Sequence, residues 1–119
     1  MIKKMKSDIF YVDAFSKEVF SGNPAAVIFK HFEDEKMQSI ASENNLSETA
    51  FIDLENNYIR WFSPKCEVDL CGHATLAAAH IFFKYIDNNS SSISFNSNSG
   101  ELKAYKKDSI IYLDFPKDN

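Results

Sequence analysis

Apolar residues along the chain fall mainly into short runs with the length and composition of β-strands. Asp8–Phe15 and Ala25–Phe29 are two such runs, and the Ser-Gly-Asn-Pro segment before the second run marks a turn between them. Thr49–Leu54 and Tyr58–Phe62 flank an asparagine-rich turn and predict a hairpin, because asparagine tolerates the positive φ angles of tight turns. Three more strands are predicted near the end of the chain, at Ser92–Phe95, Leu102–Lys106 and Ile110–Phe115.

Two segments have the pattern of helices. Glu33–Asn44 begins with an acidic turn and places Met37, Ile40 and Ala41 on one face, so it predicts a short surface helix. His73–Ile86 is apolar at nearly every position, and a helix with almost no polar face is buried on nearly every side. In a chain of 119 residues the strands must wrap around it. The predicted fold class is therefore α+β, an antiparallel β-roll around a central buried helix, in a single domain at 1–119.

The charge of the chain excludes several classes of partner. The net charge is -4, which repels phosphate backbones and anionic membranes, so we expect neither nucleic acid nor a membrane as partner. The basic start at Lys3, Lys4 and Lys6 lacks the layout of a signal peptide and is interpreted as a solvated terminus. Cys66 and Cys71 lie too close in sequence to close a useful disulfide loop. A cytoplasmic, reducing location fits these features best.

The turn before the buried helix is a candidate anion site. Cys71, Gly72 and His73 occupy this turn, where the first N–H groups of a helix lack intrahelical acceptors and the helix dipole favours negative charge. Gly72 has no Cβ and therefore lets the backbone approach a ligand closely. The turn predicts a carboxylate-binding site, and a plain tight turn is the alternative interpretation.

Glu48 is the candidate acid/base group. It lies among apolar neighbours at the start of a predicted strand, where partial burial raises a carboxyl pKa towards the range that suits proton transfer. A capping or solvated glutamate is the alternative interpretation. No metal site is predicted, because the remaining candidate ligands lack the paired spacing of a zinc site; these are Cys66, Cys71, His73 and His80.

Three blocks of sequence, in this order, resemble the PhzF-like family of phenazine-biosynthesis proteins. They are GNPAAV at Gly22–Val27, NLSETAF at Asn45–Phe51, and RWFSP with EVDLCGHATLAAAH within Arg60–His80. The resemblance implies a fold similar to diaminopimelate epimerase, in which two related lobes each wrap a β-roll around a helix and enclose the active site between them. Residues 1–119 would be the first lobe, because family members are roughly twice as long.

The resemblance also implies an isomerase that moves a proton on a small carboxylate-bearing metabolite, without metal or organic cofactor. In the phenazine pathway this metabolite is a dihydro-hydroxyanthranilate. The family's catalytic glutamate falls on Glu48, and its substrate-facing pair falls on Gly72 and His73. We expect further substrate contacts at Ser47 and Asn23, which lie in the same blocks. Two modes of binding remain open for His73, through its ring or only through its backbone N–H.

Two alternatives to this function remain. Cys71 lies where the related epimerases and racemases carry a catalytic thiol, and the start of a helix lowers a thiol pKa, which would make Cys71 the base of a cysteine-based epimerase. Those enzymes use two opposed thiols, one from each lobe, which favours Cys71 as a small buried side chain instead. The other alternative is a non-catalytic half-domain or gene remnant that acts only as an assembly module.

The second lobe of the family's fold is expected to be missing from these residues. Its acid/base group and carboxylate contacts would be missing with it, so full activity of the truncated chain is in question. Loss of that lobe would also expose sheet edges and apolar surface, which favour association. The expected partners are a second copy of the chain, in a homodimer or higher assembly, or a separate second-lobe chain.

Overall fold

The computed structural model describes residues 2–5, 9–12, 25–108 and 110–114. These parts of the chain form nine strands in one sheet, two α-helices and one π-helical turn. In chain order the elements are β1 (Ile2–Met5), β2 (Ile9–Val12), β3 (Ala25–Ile28), α1 (Asp34–Asn44), β4 (Glu48–Asp53), β5 (Tyr58–Phe62), β6 (Glu67–Val68), α2 (Gly72–Ile81), the π-helical turn (Phe82–Ile86), β7 (Ser92–Ser97), β8 (Gly100–Lys107) and β9 (Ile110–Asp114).

The sheet follows the chain closely. Its strand order is β1-β2-β3-β4-β5-β7-β8-β9, and the short β6 pairs with β5. Most neighbouring strands are antiparallel, but β3 pairs with β4, and β5 with β7, in parallel. Each parallel pair has a helix in its connection, because only a long crossover returns the chain in the same direction. The α+β class is confirmed, with a mixed sheet where the prediction had a wholly antiparallel roll.

The helix α2 lies inside the curved sheet. It packs against β3 and β4 towards one end of the strand order and against β9 at the other end, so the sheet curls around it. Its alanines are buried and permit close approach of the strands. Large side chains from the strands complete this core, among them Phe10, Ile52, Trp61, Phe95 and Leu102.

The outer face of the central strands is covered by α1. Met37 and Ala41 of α1 pack with Ile28, Phe51 and Phe62 in a second apolar cluster. Other residues of β3 and β4 belong to the core around α2. The two strands are therefore buried on both faces, which explains why β3 and the middle of β4, Ala50–Ile52, are apolar at every position instead of alternating.

Several local predictions are confirmed, one strand was not predicted, and one prediction is wrong. The surface helix and the hairpin are present, and Asn57 in the hairpin turn has the expected positive φ of 52°. Ile2–Met5 forms a strand that pairs with β2, which the sequence did not predict, and the solvation of the basic start stays a prediction. Burial of the whole of His73–Ile86 was wrong, because the helix passes into a π-helical turn at its end and leaves Tyr85 and Ile86 exposed.

Candidate active site

The sequence blocks singled out above converge at the start of β4. β3 and β4 are parallel neighbours whose register pairs Ala25 with Glu48, and α2 packs against both strands. Because parallel strands begin at the same edge of a sheet, the chain enters β3 beside the start of β4. Asn23 precedes this entry but lies outside the described residues, so its substrate contact stays a prediction.

Glu48 is the first residue of β4 and is half-buried. Its Oε1 atom is buried and forms no hydrogen bond to any residue that the structure describes. Burial raises the pKa of this carboxyl above its ordinary value. Position and pKa direction thus agree with what the sequence predicted for this carboxyl, while its catalytic role stays a prediction. Ser47, immediately before it, is exposed and accessible to a ligand.

The turn before α2 leaves the start of the helix open. Cys71 is the N-cap residue, but its side chain forms no capping hydrogen bond, and the first turn carries no acidic side chain. Gly72 and His73, the first two residues of α2, are half-buried. The helix dipole and the first N–H groups therefore favour a small anion at this turn. The geometry suits the predicted carboxylate site, and binding itself stays a prediction.

The pKa of the Cys71 thiol is shifted in the direction opposite to the prediction. Its residue is only 8% exposed, and burial, assisted by the negative charge of Glu48, raises the pKa of the thiol to about 11. The backbone N–H groups of Ala74 and His73 lower this pKa, as expected at a helix start, but they do not outweigh burial. The predicted lowering of the thiol pKa was therefore wrong, because burial in the core is the larger effect.

His73 is held against Cys71 in the same turn. Its Nδ1 atom lies 3.5 Å from the Cys71 Sγ, within hydrogen-bonding distance for sulfur. The Nε2 atom is buried, and burial lowers the pKa of the ring, which favours the neutral imidazole. The turn thus combines a protonated thiol and a neutral imidazole, with the Glu48 carboxyl close enough for its charge to act on the thiol.

A buried hydrogen-bond chain supports this turn and was not predicted. The Trp61 Nε1–H donates to Thr75 Oγ1 at 3.0 Å, and the Thr75 hydroxyl donates to the Cys71 carbonyl at 2.8 Å. Both side chains lie in the core. The signal for it was a threonine inside an alanine-rich apolar helix, since a buried hydroxyl requires a partner.

An ion pair fixes the segment that leads into the turn. Arg60 on β5 binds both carboxylate oxygens of Glu67 on β6, at 2.7 and 2.8 Å. A third bond of 2.9 Å joins Arg60 to Asp34 at the start of α1. Cys66 lies in the connection between β5 and β6 as an exposed free thiol, outside the candidate site.

Metal-ligating side chains are not clustered in the described part of the chain. No three His, Cys, Asp or Glu residues there form a group able to hold a metal ion. Among the same residues, no helix is both long enough and apolar enough to cross a membrane.

Sequence comparisons find one family and several relatives. The family model described as "Phenazine biosynthesis-like protein" (PhzC-PhzF) matches residues 12–116. An uncharacterized isomerase from Pseudomonas aeruginosa is 50% identical over 116 residues, which cover 94% of this chain and 44% of that protein. A phenazine biosynthesis-like domain-containing protein from Homo sapiens is 48% identical over 124 residues, with coverages of 94% and 43%. The chain thus spans less than half the length of these relatives.

Solved structures agree with the sequence match. A crystal structure of a PhzF family phenazine biosynthesis protein from Enterococcus faecalis superposes with a TM-score of 0.80 at 51% identity, covering 91% of this chain and 43% of that one. A predicted epimerase from Pseudomonas aeruginosa has a TM-score of 0.65 at 20% identity, covering 89% and 41%, and shows the fold alone. Since the family match extends over nearly the whole chain, this chain belongs to the phenazine biosynthesis-like (PhzC-PhzF) family.

Proposed function

We propose that this chain supplies the acid/base half of an isomerase active site, in which Glu48 transfers a proton on a small carboxylate-bearing metabolite without metal or organic cofactor. One observation carries the proposal. The Glu48 Oε1 atom is buried at the start of β4 and has no hydrogen-bond partner among the described residues, and burial raises the pKa of its carboxyl. A buried carboxyl oxygen with no partner among these residues is available to exchange a proton with a ligand.

The proposed step is a proton shift. Ionised Glu48 takes a proton from one substrate carbon, and the electron pair of that C–H bond moves into the substrate's conjugated system. Protonated Glu48 then returns the proton to a second carbon, so no oxidant or reductant is consumed. The substrate carboxylate binds at the start of α2, through N–H groups at Gly72 and His73, which presents the two carbons to Glu48 in turn. Ser47 and Asn23 provide further contacts.

Deuterium exchange tests the role of Glu48. The purified chain is incubated in D2O with the dihydro-hydroxyanthranilate of the phenazine pathway, and deuterium uptake is followed by mass spectrometry. The proposal expects uptake that Glu48→Gln abolishes and Cys71→Ser retains. The opposite pattern would assign the chemistry to the thiol. No uptake, even with an added second-lobe chain, would make this chain a non-catalytic module.

Carboxylate binding is tested separately from turnover. Titration with anthranilate is expected to shift the amide resonances of Gly72 and His73 in a 1H–15N spectrum, because the carboxylate approaches the first turn of α2. Aniline has the same ring without the carboxylate and is expected to leave both resonances in place. Equal shifts with the two compounds would show that the turn binds no carboxylate.

We further propose that residues 1–119 form the first lobe of a two-lobed family protein, and that the isolated chain pairs with a second copy of itself. The relatives contain more than twice the length that this chain matches. β9 ends the strand order of the described sheet and exposes Ile110 and Tyr112. An edge strand with exposed apolar side chains favours pairing with another chain.

Light scattering after gel filtration tests this association. The isolated chain is expected as a dimer that Tyr112→Lys weakens, whereas the control Leu54→Lys, in the exposed hairpin turn, leaves the dimer intact. A stable monomer at all concentrations would refute pairing. A monomer that binds only an added second-lobe chain would replace the homodimer by that partner.

A cytoplasmic location is the corresponding proposal for the compartment. Cys66 and Cys71 are both free thiols, which suits a reducing environment. Cell fractionation with an antibody against the chain tests it, and recovery from an oxidising compartment would overturn it.

A further inference from the structure

The contact between Cys71 and His73 bears on which nitrogen of the His73 ring carries the proton. The Cys71 Sγ and the His73 Nδ1 are 3.5 Å apart. One of the two groups must supply the hydrogen, and the choice fixes which nitrogen of a neutral imidazole carries the ring proton. The two options are an S–H group donating to a bare Nδ1, or an Nδ1–H group donating to sulfur.

The surroundings of the sulfur favour the first option. The Cys71 side chain forms no capping hydrogen bond at the start of α2, and its residue is only 8% exposed. Burial keeps the thiol protonated at neutral pH, with a pKa of about 11, so its S–H needs an acceptor. An imidazole nitrogen lone pair is a far better acceptor than a thiol sulfur.

We propose that Cys71 is a positioning residue whose S–H group donates to Nδ1 of His73 and thereby places the ring proton on Nε2. The consequence for catalysis rests on the function proposed above. With its proton on Nε2, the His73 ring is a hydrogen-bond donor at that atom and leaves proton abstraction to Glu48. Cys71 then serves the site without taking part in the chemistry itself.

The position of the sulfur is set by the core. The Cys71 carbonyl accepts hydrogen bonds from the Thr75 backbone N–H at 3.1 Å and from the Thr75 hydroxyl at 2.8 Å. Thr75 is held in turn by the indole N–H of Trp61. These bonds anchor the N-cap residue, so the thiol meets the imidazole in a fixed orientation.

Long-range 1H–15N spectra of histidine test the proposal without any substrate. The chain has three histidines, and His31 is an internal reference. Its Nε2 lies 2.9 Å from the Phe51 carbonyl oxygen, which only accepts, so His31 carries its proton on Nε2. The proposal expects the same pattern for His73 in the wild-type protein.

Two variants separate donation from packing. Cys71→Ser keeps a donor and is expected to keep the Nε2–H form of His73. Cys71→Ala removes the donor and is expected to reduce the ratio of the Nε2–H to the Nδ1–H form about fivefold, the size expected for one weak hydrogen bond. The His31 pattern stays unchanged in both variants.

Two results would overturn the proposal. One is an Nδ1–H form of His73 in the wild-type protein, which needs no variant to observe. The other is an unchanged ratio in a folded Cys71→Ala protein. Neither result depends on turnover, so a failure here leaves the acid/base role of Glu48 untouched, and an inactive chain leaves the tautomer measurement valid.

Discussion

The hydroxyl of Thr75 offers a sharp test of what holds the candidate site in place. It accepts from the Trp61 indole N–H at 3.0 Å and donates to the Cys71 carbonyl at 2.8 Å. Both Thr75 and Trp61 are essentially inaccessible to solvent. Thr75→Val replaces the hydroxyl by a methyl group of similar size, so it removes both hydrogen bonds without leaving a large cavity.

The cost of this change comes mainly from the indole. The Cys71 carbonyl keeps the bond from the Thr75 backbone N–H at 3.1 Å, so it remains satisfied. The Trp61 N–H loses its acceptor inside the core, and an unsatisfied buried donor costs about 1–3 kcal/mol. We therefore expect Thr75→Val to lower the free energy of unfolding by about 2 kcal/mol, a large part of the roughly 5–15 kcal/mol that holds a domain folded.

Urea denaturation followed by tryptophan fluorescence measures this loss. Thr49→Val is a matched control, because Thr49 is equally buried but, among the described residues, its hydroxyl accepts a longer bond, 3.3 Å, from the half-buried Asn44. We expect the control to cost under about 1 kcal/mol, since water can replace that bond. If Thr75→Val cost no more than Thr49→Val, the hydrogen-bond chain from the core to the turn would not exist.

Three further changes follow from charges and burial. Burial raises the pKa of Glu48 above 4.5 in the folded protein, so its ionisation destabilises the fold as the pH rises through that pKa. At pH values above that pKa, Glu48→Gln should therefore be more stable than wild type. Urea titrations below pH 4.5, where the wild-type carboxyl is protonated, should show no gain. Iodoacetamide at about pH 8 should label Cys66 quickly and leave Cys71 unlabelled until the protein unfolds, whereas rapid labelling of both would contradict the burial of Cys71. Arg60→Lys should lower the free energy of unfolding, measured in urea, by about 1–2 kcal/mol, because it loses the bidentate ion pair with Glu67. Asp34→Asn should leave the free energy of unfolding unchanged, because that carboxylate is 78% exposed.

Local sequence patterns were sufficient for most elements of the fold. The acidic start of α1, the asparagines of the hairpin and the apolar run of α2 each act within a few residues, so they predict their elements without tertiary information. The parallel pairing of β3 with β4 was beyond such patterns, because it joins strands separated by a helix. The pairing of Ile2–Met5 was also missed, since two lysines in a short terminal segment weaken any strand signal.

In the candidate site, one pKa shift could be predicted from the sequence and one could not. The apolar neighbours of Glu48 predicted the direction of its pKa, because burial of a strand start can be inferred from the run that follows it. The thiol of Cys71 could not be predicted in this way. Its sequence position indicates only a helix start, which lowers a thiol pKa, whereas the depth of burial and the nearby charge depend on how α2 docks against β3 and β4.

The electrostatic interaction between Glu48 and Cys71 supports the roles proposed for the two groups. Each group is harder to ionise because it is buried, and the charge of Glu48 further raises the pKa of the thiol, to about 11. Two negative charges in one partly buried site repel each other, so the group with the lower pKa ionises and the other stays neutral. The carboxyl is that group, because its negative charge acts on a thiol that is still protonated. This order agrees with the proposed roles, in which Glu48 is the base and the Cys71 thiol, with a pKa of about 11, stays protonated at neutral pH.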